Sequence, residues 1–362
     1  MLMKFTALEI GSGDAFLLQD NERNTLFDAG GSKSKIVKVL KDNEVSQIDL
    51  AICSHNDKDH ANGFIGLLMQ PDICIKEIWL PGIWASIVQY VIDHRSEFHK
   101  IWPLIIQNND KYEECYYTPD DLFGKEFVQV KDINNKLSSS IEELGDMRIW
   151  DRKGELKFNC LQKPKRGSSF LCANFDRILK IVKLACEKGV KMSWFEPTNV
   201  CVKNVIDYGF VALNSKLIRR VRFIKDPMAF LHALTLTEAN KHSLVFEYIK
   251  NDIPVVRFSA DSDCICQSVT PQYTNNIIVT APHHGSAANA NVYTGIQGQD
   301  IIWVRSDGKT SNRPCDEFKK LPVKYCLVCQ TNGFKAEISF EYDFSTKKWG
   351  CLKGKACQCK IP

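Results

Sequence analysis

Ser54-His55-Asn56-Asp57-Lys58-Asp59-His60 directly follows the apolar run Ile48 to Cys53 and carries the strongest signal in the chain. Two imidazoles and two carboxylates fall within six positions. In extended backbone alternate side chains project the same way, so His55, Asp57 and Asp59 can converge on one point. His60 follows at the start of a helix expected over Ala61 to Met69. A polar loop can carry such residues merely as solvated groups. Histidine and carboxylate at this spacing nevertheless suit a divalent cation.

Upstream, Phe5 to Ile10 and Ala15 to Gln19 read as strands around Gly11-Ser12-Gly13-Asp14, and Thr25 to Phe27 runs into Asp28-Ala29-Gly30. Lys33 to Lys41 has helical spacing, Ile48 to Cys53 reads as a strand buried on both faces, and Ile73 to Leu80 is a further strand. Strands alternating with helices imply a layered α/β fold. The rhythm is lost from about residue 95 to 235, apart from an apparent helix over Asp176 to Glu187, so this stretch reads as an insertion. Strand pattern returns at Ser243 to Tyr248, Val255 to Ser259 and Asn276 to Thr280. The last two run into Asp261 and into His283-His284, and strand ends are where α/β scaffolds place functional groups.

A chain of 362 residues can bury a substantial core, as one large domain or one domain with a sizeable insertion. Hydrophobic content of 44% and charged content of 25% are those of an ordinary soluble protein, and a net charge of +4 selects no partner. Fifteen cysteines would suit a secreted disulfide framework, but Met1 to Ala15 contains Lys4, Glu9 and Asp14 and no long apolar core. The expectation is therefore a cytoplasmic protein with reduced, mostly buried thiols. No membrane association is expected, because Pro81, Gly82 and Gln89 interrupt the longest apolar region, Ile78 to Ile92. In the tail, Cys326, Cys329, Cys351, Cys357 and Cys359 allow a structural zinc site, but Tyr325 to Val328 reads equally as a buried strand.

The ordered blocks Gly11-Ser12-Gly13-Asp14-Ala15, Phe27-Asp28-Ala29-Gly30, Ser54 to His60, Ser259-Ala260-Asp261 and Pro282-His283-His284-Gly285-Ser286 resemble the metallo-β-lactamase superfamily. Aspartate at position 57 is similar to the branch typified by the soluble domain of ComEC-type competence proteins. The resemblance implies a four-layer αββα sandwich with the metal site at one edge between the sheets. It covers both halves of the core, 1–94 and 236–345, and leaves the insertion 95–235 and a cysteine-rich tail 346–362 unexplained. It further implies two divalent metal ions, Zn²⁺ or Mn²⁺. His55 and Asp57 would hold one, Asp59, His60 and one of the His283-His284 pair the other, with Asp261 bridging.

His283 is favoured as the ligand and His284 as a proton donor or substrate contact, although sequence alone does not order them. His242 could complete the first metal, but a structural role is the stronger reading. Asp14 and Asp28 are expected to shape turns beside the site. Ala260 stands where the family typically has glycine.

Three carboxylates and no thiolate among the candidates lean towards phosphodiester chemistry, with Asp59 orienting an activated water. The leading expectation is a metal-dependent hydrolase, a phosphodiesterase or nuclease acting on DNA or RNA. Two alternatives stand beside it. One keeps the site and changes the substrate to a small ester, thioester or cyclic nucleotide; the other is a metal-bound module recruiting a protein partner through residues 95–235. Basic groups at Lys163, Lys165, Arg166 and at Lys216, Arg219, Arg220, Arg222, Lys225 could bind a polyanion, though a solvated surface explains them more simply. Arg305 and Arg313 lie where they could contact phosphate.

Overall fold

A computed structural model describes residues 2–21, 23–94, 123–129, 166–198, 206–237, 242–263, 272–298, 300–306, 313–330 and 337–359. The chain opens with strands β1 (Met3–Ala7), β2 (Phe16–Asp20) and β3 (Arg23–Phe27). Helix α1 (Lys33–Asp42), β4 (Gln47–Ile52), α2 (Lys58–Met69), β5 (Cys74–Pro81) and α3 (Gly82–Asp93) follow in alternation. Next come β6 (Phe123–Gln129), α4 (Arg166–Glu187), β7 (Lys191–Pro197), β8 (Phe210–Ala212), β9 (Ser215–Ile218), β10 (Arg220–Ile224) and α5 (Pro227–Leu236). The remainder comprises β11 (Phe246–Lys250), β12 (Ile253–Phe258), β13 (Gln272–Tyr273), β14 (Ile277–Thr280), α6 (Asn291–Gly295), β15 (Gln297–Gly298) and β16 (Ile301–Arg305). It ends with α7 (Asp316–Lys320), β17 (Lys324–Cys326), β18 (Ile338–Asp343) and β19 (Lys348–Lys353).

Two mixed sheets dominate: nine strands in the order β19-β18-β1-β2-β3-β4-β5-β7-β9, and six in the order β17-β16-β14-β12-β11-β8. Side-chain alternation along each strand sorts residues between layers. In β2, Leu17 packs under the helices, whereas Phe16 and Leu18 face the second sheet. In β14, Ile278 joins the core between the sheets, while Ile277 and Val279 face α6 and α7. The result is an α/β fold of four layers, helix–sheet–sheet–helix. Its centre is aromatic, with Phe27 of one sheet stacked on Phe258 of the other at 4.6 Å between ring centroids.

The stretch expected as an insertion is in part core. Residues 191–197 and 215–218 extend the nine-stranded sheet, and residues 210–212 form the edge of the six-stranded one. The strands at 210–212 and 215–218 are only three and four residues long, which hides their period in the sequence. Most of 95–165, including Lys163 and Lys165, lies outside the described residues. Helix α2 also begins earlier than expected, at Lys58 with Asp57 as its N-cap, so Asp59 and His60 sit in the first helical turn. Among the described residues no helix is long and apolar enough to cross a membrane.

Glycine allows the close approaches that set the site. Gly13 has φ +88°, and a Cβ there would lie 1.6 Å from the Asp59 carbonyl oxygen. The neighbouring Asp14 N–H donates to that same carbonyl at 3.1 Å, fixing the first loop against α2. Gly63 lets α2 pack on the Ala29 carbonyl, which a Cβ would approach to 2.0 Å.

Candidate metal centre

Four chain segments meet at the ends of the strands: the loop after β1, the β4–α2 connection, the loop after β12 and the turn after β14. Asp261 lies at the centre and is buried, with one oxygen turned to each side. Its Oδ2 is 3.7 Å from His55 Nε2 and 3.5 Å from His283 Nε2. Its Oδ1 is 3.1 Å from His60 Nε2 and 3.8 Å from His284 Nε2. Asp57 Oδ2 approaches His55 Nε2 at 3.5 Å, and Asp59 Oδ2 approaches His284 Nε2 at 3.4 Å. Thus His55, Asp57, Asp59 and His60 all reach the centre, but on two sides. A helix turns about 100° per residue, so the cap residue Asp57 and the first-turn residue Asp59 face apart rather than together.

The imidazoles are oriented from behind. Asp28, at φ +54°, accepts from the Ser54 N–H, the Ser54 hydroxyl and His60 Nδ1, each at 2.8 Å. With its hydrogen committed to Asp28, the Ser54 oxygen accepts from His55 Nδ1 at 2.9 Å. Asp14 accepts from His284 Nδ1 at 3.0 Å. All three rings therefore present Nε2 to Asp261, the arrangement by which carboxylates fix metal-binding histidines. Asp14 and Asp28 do more than shape turns.

Asn56 is held by distant parts of the chain: its N–H donates to the Thr237 carbonyl at 3.0 Å, its side chain to the Asn174 carbonyl at 3.1 Å, and Arg177 donates to its carbonyl. Arg177 and Asn174 belong to α4, so the supposed insertion braces the ligand loop.

Burial and charge oppose one another throughout the centre. Burial would lower the His284 pKa, but Asp14 and Asp261 outweigh it and hold the value at about 10. Burial likewise disfavours charged His60, yet Asp261 and Asp28 raise it well above the usual imidazole range. Asp261 resists burial in the other direction, kept well below the usual carboxylate range by His60, His284 and His55. His283 differs: burial lowers its pKa, only partly countered by Asp261 and reinforced by Arg313.

The donor set fits a divalent cation. Ligand atoms of Asp14, His60, Asp261 and His284 lie within 4.8 Å of one another, as do those of His55, Asp57 and Asp261. A tetrahedral ion with bonds near 2.05 Å separates its ligands by about 3.3 Å, close to the spacings above. The buried His55 Nε2 has no hydrogen-bond partner, which a cation would satisfy.

Of the histidine pair it is His284, fully buried, that joins the four-residue group, whereas the His283 side chain remains 19% exposed and bonds Asn289 at 3.3 Å. His242 is half-buried and joins neither group. Arg305 is buried and donates to the His284 carbonyl at 2.5 Å, so it supports the turn instead of facing substrate. Lys216 and Arg222 pair with Glu196 at 3.7 and 2.9 Å.

No curated protein matches the chain. A metal-dependent hydrolase of the beta-lactamase superfamily is similar in structure at 11% identity, covering 90% of this chain and 96% of its own, with a TM-score of 0.38. A diphosphatase from the PhnP family is similar at 11% identity, covering 94% of this chain and 99% of its own, with a TM-score of 0.35. The family model of the Metallo-beta-lactamase superfamily matches residues 8–81, the segment that carries Asp14, Asp28, His55, Asp57, Asp59 and His60.

Proposed function

We propose that the protein is a metal-dependent hydrolase of the metallo-β-lactamase kind that cleaves phosphodiester bonds, with DNA or RNA as substrate. One observation carries the reading: the two oxygens of Asp261 face separate His/Asp groups, as a carboxylate shared by two ions would. His55 and Asp57 would hold one ion, and His60, His284 and Asp59 the other. Zn²⁺ and Mn²⁺ suit this mixture of imidazole and carboxylate. Bound in this way, the ions supply Lewis acidity and a water activated near neutral pH.

The chain's own residues do the rest. Asp28 and Asp14 keep His60 and His284 aimed at Asp261, so little reorganisation is needed when charge develops. His283, the more exposed ring of the pair, stands at the open side and is placed to meet the substrate. This reverses the order expected for the pair from sequence, because His284 is the ring buried among the carboxylates.

The test is to incubate the purified protein with single- and double-stranded DNA, RNA and bis(p-nitrophenyl) phosphate, with Mn²⁺, Mg²⁺ or Zn²⁺ in turn. Cleavage that disappears in Asp59→Ala and His60→Ala is the expected result. Turnover of nitrocefin or thioesters alone would replace the substrate class. Failure of the His/Asp centre to bind metal after supplementation would remove the enzyme reading altogether.

A further inference from the structure

A second cluster of ligand-grade side chains lies away from the His/Asp groups. The Sγ atoms of Cys326, Cys329, Cys357 and Cys359 all fall within 4.8 Å of one another. Cys329 is 3.4 Å from Cys357 and 3.3 Å from Cys359, and all four are free thiols. We propose that these four cysteines form a structural zinc site that clips the C-terminal tail onto β17.

Local geometry explains how the spacing works. β17 ends at Cys326 and the chain turns at once into a 3₁₀ segment, Leu327–Gln330. In such a turn residues three apart lie on one side, so Cys329 comes round beside Cys326. The expected strand Tyr325 to Val328 is thus cut short at Cys326. From the tail, the Cys357 N–H donates to the Lys324 carbonyl at 2.7 Å. Gln330 and Lys355 exchange two hydrogen bonds at 2.7 Å each. Cys351 stays outside, exposed and directed to the Lys353 and Gly354 carbonyls.

Two of the four sulfurs accept hydrogen bonds that suit a thiolate. Arg305, 1% exposed, donates to Cys326 Sγ at 3.1 Å, and the Cys359 N–H donates to Cys357 Sγ at 3.3 Å. Hydrogen bonds of this kind from a cation and a backbone amide stabilise a negatively charged sulfur. Zinc–sulfur bonds near 2.3 Å would put the sulfurs about 3.8 Å apart, a small outward adjustment. Without a metal, the polar tail Lys353-Gly354-Lys355-Ala356 offers little apolar surface to hold it in place. Because Arg305 also grips the His284 carbonyl, the site backs the turn that carries the histidine pair.

The experiment measures zinc per full-length chain, purified under reducing conditions and supplemented with zinc. In a His55→Ala/His60→Ala variant one zinc per chain should remain, and an organomercurial thiol reagent should release it. Adding Cys357→Ser and Cys359→Ser should remove that zinc, whereas Cys351→Ser should leave it. Wild-type protein offers a check independent of variant folding: X-ray absorption should show zinc–sulfur scattering near 2.3 Å, with one zinc released by the organomercurial. Absence of zinc–sulfur scattering in the wild type, or zinc retained after loss of both tail cysteines, overturns the proposal.

Discussion

The His/Asp centre and the four-cysteine cluster are both places where distant segments converge, yet they are held in opposite ways. Around Asp261 the rings of His55, His60 and His284 are each fixed by a buried carboxylate or hydroxyl, and the loops are locked by helix contacts. Around Cys326 only one of the four sulfurs is buried, and the tail is held by a handful of backbone and amide contacts. A preorganised site keeps its geometry whatever it binds, whereas a clip needs its ion to exist. Disturbing the packing should therefore damage the first far more than the second.

The largest effect should come from Gly13→Ala, which drives a methyl group into the Asp59 carbonyl at a positive φ. A loss of about 2–4 kcal/mol is expected, measured by urea denaturation, with zinc at the cysteines retained in the folded fraction. Unchanged stability would mean that the first loop does not pack on α2 as described. Next is Asp28→Asn, which weakens the acceptor that orients His60 and leaves the fold otherwise intact. Metal affinity at the centre should fall by roughly 10- to 100-fold, read by competition with a chelating dye, without change at the cysteine cluster.

A third test uses Glu77, a buried carboxylate outside both clusters that accepts from Lys191, Ser193 and Trp79 at 2.8 Å each. Burial would raise its pKa, but those partners lower it. A depressed folded-state value gives stability that is present above the unfolded pKa of about 4.3 and lost as pH falls through the folded value. Thermal melts between neutral and acid pH should show that loss, and Glu77→Gln should flatten it. The smallest effect is expected at Ala260, which occupies φ +47° where a glycine would sit without strain. Ala260→Gly relieves the backbone but removes a buried methyl, so stability should change by less than about 1 kcal/mol. A large loss there would show that the methyl packing outweighs the backbone conformation.

The ligand loop was readable in the sequence because its four donors crowd into six positions after an apolar strand. Asp14 and Asp28 read as turn residues in the sequence because their partners lie far along the chain, 270 and 32 residues away. Spacing carries no trace of such pairs. Arg177 carries no signal in the sequence for the same reason, being 121 residues from Asn56. The strands at 210–212 and 215–218 are hidden by brevity, since three or four residues show no reliable period. The cysteine spacing was visible, but only the turn after Cys326 brings the sulfurs together.

The most direct measurement is an anomalous difference map from crystals grown with zinc or manganese. Two peaks should flank Asp261, one within about 2.2 Å of His55 Nε2 and the other equally near His60 Nε2. A map with no peak in contact with either Asp261 oxygen, from protein shown to be folded and metal-supplemented, would contradict the shared-carboxylate centre.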